Sequence, residues 1–165
     1  MRKSRVQFLT EAALIAALYV VLTVLLAAFS FSEVQVRVAE MLTILPVFTP
    51  AAVPGLFLGC VIGNTLGGAI LPDIIFGSLA TLAGAVGTFC LRGRSLIVAA
   101  IPPIVANALV VPFLLKYAYG IKLPIPLLML SVGIGEIISC GVLGVTFGKI
   151  LRKYKNVLFK KRGAK

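Results

Sequence analysis

The stretch MLTILPVFTPAAVPGLFLGCVIGNTLGGAILP, residues 41–72, decides the fold of this chain. It runs 32 residues without a charge. As a single helix it would extend about 48 Å at 1.5 Å per residue, whereas about 20 apolar residues already cross the hydrocarbon core of a bilayer. Pro46, Pro50 and Pro54 each remove a backbone donor and restrict the residue before them, so a continuous helix is disfavoured. Two spans meeting near residues 49–54 are expected instead.

Outward from that stretch, uncharged runs cover 12–32, 74–91 and 95–115, and another, 123–148, is broken only by Glu136. Charge decides the count. Five spans would put the basic ends on opposite sides of the membrane. Six put both ends and the Arg92/Arg94 turn on one side, and of the 16 basic residues only Arg37, Lys116 and Lys122 then lie outside. Membrane proteins keep positive charge on the cytoplasmic side. The expectation is an all-α integral membrane protein, a six-helix bundle forming one domain over residues 1–165 with both termini cytoplasmic. Its helices cover 10–30, 38–49, 53–71, 73–91, 95–117 and 124–150, the second short and tilted or only partly helical, and a basic tail follows at 151–165.

Composition agrees. Hydrophobic residues make up 60% of the chain and charged ones 13%, more apolar surface than a soluble domain of 165 residues has interior to hide. The net charge of +11 sits at the ends and in one turn, with no basic groove of interleaved aromatics, so nucleic acid is not an expected partner. Cys60, Cys90 and Cys140 lie in apolar runs and read as free buried thiols, and without histidine no metal site or disulfide framework is expected. The first apolar run is longer than the roughly 7–15 residues of a signal h-region and further spans follow, so a retained helix is expected. Gly148-Lys149 resembles the end of a phosphate-binding loop, but Ile150 follows and Leu143 stands where glycine is needed. With no convincing nucleophile–base pair either, no catalytic residue is assigned and an intramembrane enzyme ranks last.

Several faces are legible. Ala12/Ala16 and Ala13/Ala17 are spaced for close approach of another helix, although alanine is common in membrane helices anyway. Gly55, Gly59, Gly63 and Gly67 form a smooth stripe expected to pack within the bundle, and Gly144 and Gly148 repeat the pattern. Thr10 and Glu11 read as an N-cap and a first-turn acid. Glu136 lies about 18 Å into the last span, near the bilayer midplane, where an ionised carboxylate costs several kcal/mol unless partnered. It is therefore a functional candidate, with an internal pairing to Asn107 or a basic residue as the plainer reading. Asn64 and Asn107 are either ligand contacts or interhelical glue. The polar segment 31–40 suits a loop folding over a cavity or a solvated connection. The tail either lies on the anionic inner leaflet or is a disordered basic end.

Val34-Gln35-Val36-Arg37-Val38-Ala39-Glu40-Met41-Leu42-Thr43-Ile44-Leu45-Pro46, followed by Pro54-Gly55-Leu56-Phe57-Leu58-Gly59-Cys60 and Asn64, resembles the QueT family over essentially the whole chain. Ser32 stands where that family's pattern would have glycine. These are substrate-binding S-components of energy-coupling factor (ECF) transporters. The resemblance implies a multi-pass protein of a prokaryotic plasma membrane that captures a queuosine precursor, a 7-deazaguanine base such as queuine or its precursors. It implies a transmembrane coupling subunit and two ATPase subunits as partners, with ATP hydrolysed by those partners and no cofactor bound here. The first-helix alanines Ala12, Ala13, Ala16 and Ala17 would dock the coupling subunit.

For such a ligand, a carboxylate accepts the two N–H donors of a guanine-like edge: Glu136 first, Glu40 second. Asn107, Asn64 or Arg37 would donate to the ring carbonyl, and Phe31, Phe113 and Tyr117 would wall the base. Gln35 and Arg37 would belong to the lid. An S-component for another vitamin such as riboflavin, and a small channel or structural membrane subunit, are the competing readings.

Overall fold

A computed structural model describes residues 4–26 and 37–154. Among them there are six helices and no strand: α1 Arg5–Leu25, α2 Val38–Val47, α3 Ala52–Leu66, α4 Asp73–Cys90, α5 Leu96–Ala118 and α6 Ile125–Lys153. Four of these, α1, α4, α5 and α6, are long and apolar enough to cross a membrane, with 21, 18, 23 and 29 residues. Their outward faces carry exposed aliphatic side chains such as Leu14, Leu79, Ile97 and Leu130, the surface a lipid solvent covers.

The first helix begins earlier than residue 10. Ser4 is its N-cap, with the Ser4 Oγ accepting from the Gln7 amide and the Gln7 Oε1 accepting from the Ser4 amide, both at 3.2 Å. Thr10 is thus an interior residue whose hydroxyl donates 2.9 Å back to the Val6 carbonyl. Glu11 is no first-turn acid either, since its carboxylate accepts from the Thr49 hydroxyl at 2.7 Å. The reciprocal Ser4/Gln7 cap satisfies two backbone donors and outcompetes a start at Thr10.

The expected break between the second and third helices falls at residues 48–51. Before it, α2 is a 3₁₀ helix of ten residues with Pro46 inside. Such runs seldom exceed 3–4 residues, and at about 2.0 Å per residue this one rises only about 20 Å. It is short because it is interior: α2 touches each of the other five helices and buries Glu40, Leu42, Thr43, Ile44 and Pro46. Three residues per turn put Glu40, Thr43 and Pro46 on one face, with Arg37 at the N-cap.

The glycine stripe packs within the bundle, against α1. A Cβ at Gly55 would stand 2.7 Å from the Ala12 carbonyl oxygen, and one at Gly59 2.8 Å from the Tyr19 Cβ. The helix stops at Gly67, followed by Gly68 at φ +79, a left-handed turn that glycine adopts without strain. Gly84 and Gly87 of α4 receive Pro103 and Pro102 of α5 in the same manner. Pro103 has no N–H for the Ala99 carbonyl four residues back, and the Thr88 hydroxyl donates to that carbonyl at 2.8 Å instead. Gly144 of α6 meets the backbone of Met41, and Gly148 meets Ile44 and Leu96.

Three long helices contain π-helical turns, at Asp73–Gly77, Leu114–Ala118 and Ile137–Gly144. Cys60 and Cys140 are buried free thiols as expected, but Cys90, the last residue of α4, is exposed.

Candidate functional site

The middle of the bundle holds a buried polar network built around Glu40, whose side chain α2 carries into the space between α1, α4 and α6. Glu40 is fully buried. Its Oε1 accepts from the Tyr19 hydroxyl of α1 and, at 3.1 Å, from the Thr81 hydroxyl of α4. Its Oε2 has no hydrogen-bond partner among the described residues. Buried polar atoms are nearly always partnered, so an orphaned carboxylate oxygen in an apolar bundle is the sort of atom a ligand donor satisfies.

On the α6 side, the Asn107 amide donates 3.1 Å to Glu136 Oε1, and the Cys140 thiol sits 3.2 Å from Glu136 Oε2. The paired reading of Glu136 with Asn107 therefore holds. Cys140 lies one helical turn beyond Glu136 inside the π-helical stretch, which turns both side chains toward α2. The thiol also lies 3.5 Å from the Glu40 carbonyl and 3.3 Å from the Thr43 hydroxyl. One atom each from Glu40, Glu136 and Cys140 lie within 4.8 Å of one another.

Toward the start of α2, the buried Arg37 guanidinium donates to Asn64 Oδ1. The Asn64 amide in turn approaches the Asp73 carbonyl at 3.4 Å and Cys60 Sγ at 3.6 Å. Asp73 opens the π-turn of α4; its Oδ2 accepts from the Tyr119 hydroxyl at 2.9 Å, while its Oδ1 is buried without a partner. Just beyond α5, the Tyr119 phenol is pushed up to about 12 by burial and by the Asp73 carboxylate, so it remains a donor at neutral pH.

The structure thus brings Arg37, Glu40, Asn64, Asn107 and Glu136 into one network. It does not bring Phe113 and Tyr117 there. Their rings stack on each other at 6.4 Å, are 46% and 75% exposed, and line an open apolar groove of about 550 Å³ with Pro72, Phe76 and Leu109. Both sit on the outward face of α5, whereas Asn107 and Val111 occupy the inward face. Phe31 and Gln35 lie outside the described residues.

The docking alanines also divide. Ala12 and Ala16 are buried against α3 at Gly55 and Gly59, and only Ala13 and Ala17 remain exposed. The two stripes differ by one residue, about 100° of helix rotation, which carries one of them onto a neighbour and leaves the other outside.

Tyr19, Thr81, Asp73 and Cys140 were not singled out by sequence. Tyr19 extends the Ala12/Ala16 face by three residues, and that spacing was the available signal. Asp73 is one of only five acidic residues in the chain. Nothing in the sequence separates Thr81 or Cys140 from the other threonines and cysteines.

The family model described as QueT transporter matches residues 9–153. A curated relative, the queuosine precursor transporter QueT of Lactococcus lactis subsp. cremoris (strain MG1363), is 38% identical over 84 residues, covering 50% of this chain and 49% of the relative. The chain thus spans about half the length of the curated relative it matches. No solved structure matches it. A family match across nearly all of the described helices, carried by a bundle with a polar interior and four membrane-length helices, leads to one conclusion: the chain belongs to the QueT transporter family, a family of transporters and not of enzymes.

Proposed function

We propose that this chain is the substrate-capture subunit, or S-component, of an ECF-type importer, and that it takes up a queuosine precursor, a 7-deazaguanine base. The observation that carries the reading is the buried carboxylate pair Glu40 and Glu136 inside a member of the QueT transporter family. The name of the Lactococcus lactis relative supports the cargo. In this reading all six helices cross the membrane of a prokaryotic cell with both termini cytoplasmic. The short α2 does so enclosed by the other five helices, whereas the short α3 packs on α1 and keeps Leu58, Ile62 and Leu66 on an exposed face. A transmembrane coupling subunit and two ATPases complete the importer, and ATP is hydrolysed by those partners.

A guanine-like edge presents two adjacent N–H donors. Glu40 is the stronger candidate to accept them, because Oε2 is free, whereas both oxygens of Glu136 are engaged by Asn107 and Cys140. On this reading Glu40 ranks ahead of Glu136, which the sequence put first. Arg37 and Asn64 carry the N–H donors on this side of the network, and in this reading they serve a ring carbonyl. Because atoms of Glu40, Glu136 and Cys140 lie within 4.8 Å of one another, the base edge enters only as these side chains part.

The test is calorimetry on the purified protein in detergent, with queuine, its 7-deazaguanine precursors, guanine and riboflavin. Tight binding of a deazaguanine, with guanine and riboflavin weak, is expected. Tight riboflavin binding would keep the capture role and discard the cargo. Absence of binding by all four to folded protein would discard both. Glu40→Gln should weaken deazaguanine binding at least tenfold, and more than Glu136→Gln does, because an acceptor becomes a donor.

A further inference from the structure

An apolar groove runs along α4 and α5, outside the polar network. It holds about 550 Å³ and is walled by Pro72 and Phe76 at the start of α4 and by Leu109, Phe113, Leu114 and Tyr117 of α5. Phe76, Leu109, Phe113 and Tyr117 are all exposed. The groove opens where the π-turn Asp73–Gly77 of α4 meets the π-turn Leu114–Ala118 of α5. Such turns are frequent at functional sites, and here two of them supply Phe76, Leu114 and Tyr117 to one slot. From Leu109 to Ala118 the groove follows the α5 axis for about 13 Å, against about 15 Å for half of a bilayer's hydrocarbon core. Spread along that length, its volume leaves a mean cross-section of about 40 Å², whereas an α-helix about 10 Å across needs about 80 Å². A single hydrocarbon chain fits the slot, and a helix of another protein does not.

Charge at one end of the groove selects the headgroup. Lys116 precedes Tyr117, and its ammonium donates to the main-chain carbonyls of Lys122 and Leu123 at 3.4 and 3.2 Å, which ties Lys122 to the Tyr117 end. Carbonyls orient an ammonium without cancelling its charge, and Lys122 is exposed. Asp73, the acid at this end among the described residues, is buried and accepts from the Tyr119 hydroxyl. From this we infer that the groove seats one acyl chain of an anionic phospholipid, with Lys116 and Lys122 holding its phosphate at the membrane surface. Tyrosine is enriched at that level of a membrane protein, and lysine near the surface attracts anionic lipid. A zwitterionic headgroup carries its own ammonium and gains less from two lysines. The inference uses a face that the capture reading does not. A chain seated here packs against Pro72 and Ala118, the neighbours of Asp73 and Tyr119, and so steadies the hydrogen bond that joins α4 to the end of α5.

The chain contains no tryptophan, so Phe113→Trp and Phe76→Trp each place a single fluorophore in one wall of the groove. Both variants are reconstituted into phosphatidylcholine vesicles, with Leu130→Trp on the outward face of α6 as the control. A minor share of the lipid is brominated on its acyl chains, as either phosphatidylglycerol or phosphatidylcholine, and contact with bromine quenches the fluorophore. At both groove positions brominated phosphatidylglycerol is expected to quench at least threefold more than brominated phosphatidylcholine, and at Leu130→Trp the two should quench alike. Absence of that preference in the groove would overturn the inference. An equal preference at Leu130→Trp would also overturn it, because it would mark a general attraction of anionic lipid to a basic chain. Quenching by neither lipid in the groove would show the slot closed to lipid, with the same consequence. The two walls report separately, so a variant that fails to fold leaves the other to decide. Lys116→Gln with Lys122→Gln, added to Phe113→Trp, should abolish the preference and keep the quenching. A preference that survives would overturn the role of the lysines.

Discussion

Gly59 of α3 lies so close under Tyr19 of α1 that a Cβ on the glycine would stand 2.8 Å from the tyrosine Cβ and 3.0 Å from the Ala16 carbonyl oxygen. That approach lets the Tyr19 hydroxyl reach across to Glu40. The glycine stripe is thus linked to the site: it sets the distance at which α1 delivers a donor to the central carboxylate. Gly59→Leu is expected to cost about 1–3 kcal/mol by overpacking and to weaken ligand binding with it. Gly133→Ala, where nothing lies within 4 Å of the added carbon, is the control and should change neither. Thermal unfolding in detergent and ligand titration check both.

Tyr19→Phe keeps the ring and removes the hydroxyl that holds Glu40 Oε1. With one donor gone, Glu40 loses its fixed orientation, and deazaguanine affinity should fall about tenfold, the cost of one hydrogen bond to a charged group. Unchanged affinity in the folded variant would remove Tyr19 from the site.

Thr88→Val leaves the Ala99 carbonyl, already deprived of a donor by Pro103, without the Thr88 hydroxyl. Orphaning a buried carbonyl costs about 1–3 kcal/mol, so the melting temperature should drop, whereas Thr88→Ser should restore it. A melting temperature equal to that of the wild type would mean that another donor serves this carbonyl.

Substitutions on the first helix should separate by face. Ala12→Leu and Ala16→Leu intrude on α3 at Gly55 and Gly59 and are expected to destabilise the chain itself. Ala13→Leu and Ala17→Leu alter only an exposed face, and should leave binding by the solitary protein intact while impairing co-purification with a coupling subunit. If all four behaved alike, the assignment of faces would be wrong.

The break between α2 and α3, the sequestered glycine stripe and the pairing of Glu136 with Asn107 were all legible in the sequence. Each follows from a local rule: prolines that cannot continue a helix, small residues recurring every four positions, a charge too deep to stand alone. The N-terminal cap was misplaced at Thr10 because the reciprocal Ser4/Gln7 pair lies among charged residues before the apolar run, where hydropathy gives no signal.

By itself, then, the sequence determined a helical membrane bundle, its helix segments and the few polar residues its interior must house, because apolar run length and proline position act on the chain locally. Only the tertiary structure decided which carboxylate keeps a free oxygen, that Tyr19 and Asp73 join the network, that Phe113 and Tyr117 stack outside it, and which alanines remain exposed. Those outcomes depend on the rotation and axial offset of one helix against another. A shift of one residue turns a side chain by about 100°, and only the packed neighbours select the turn.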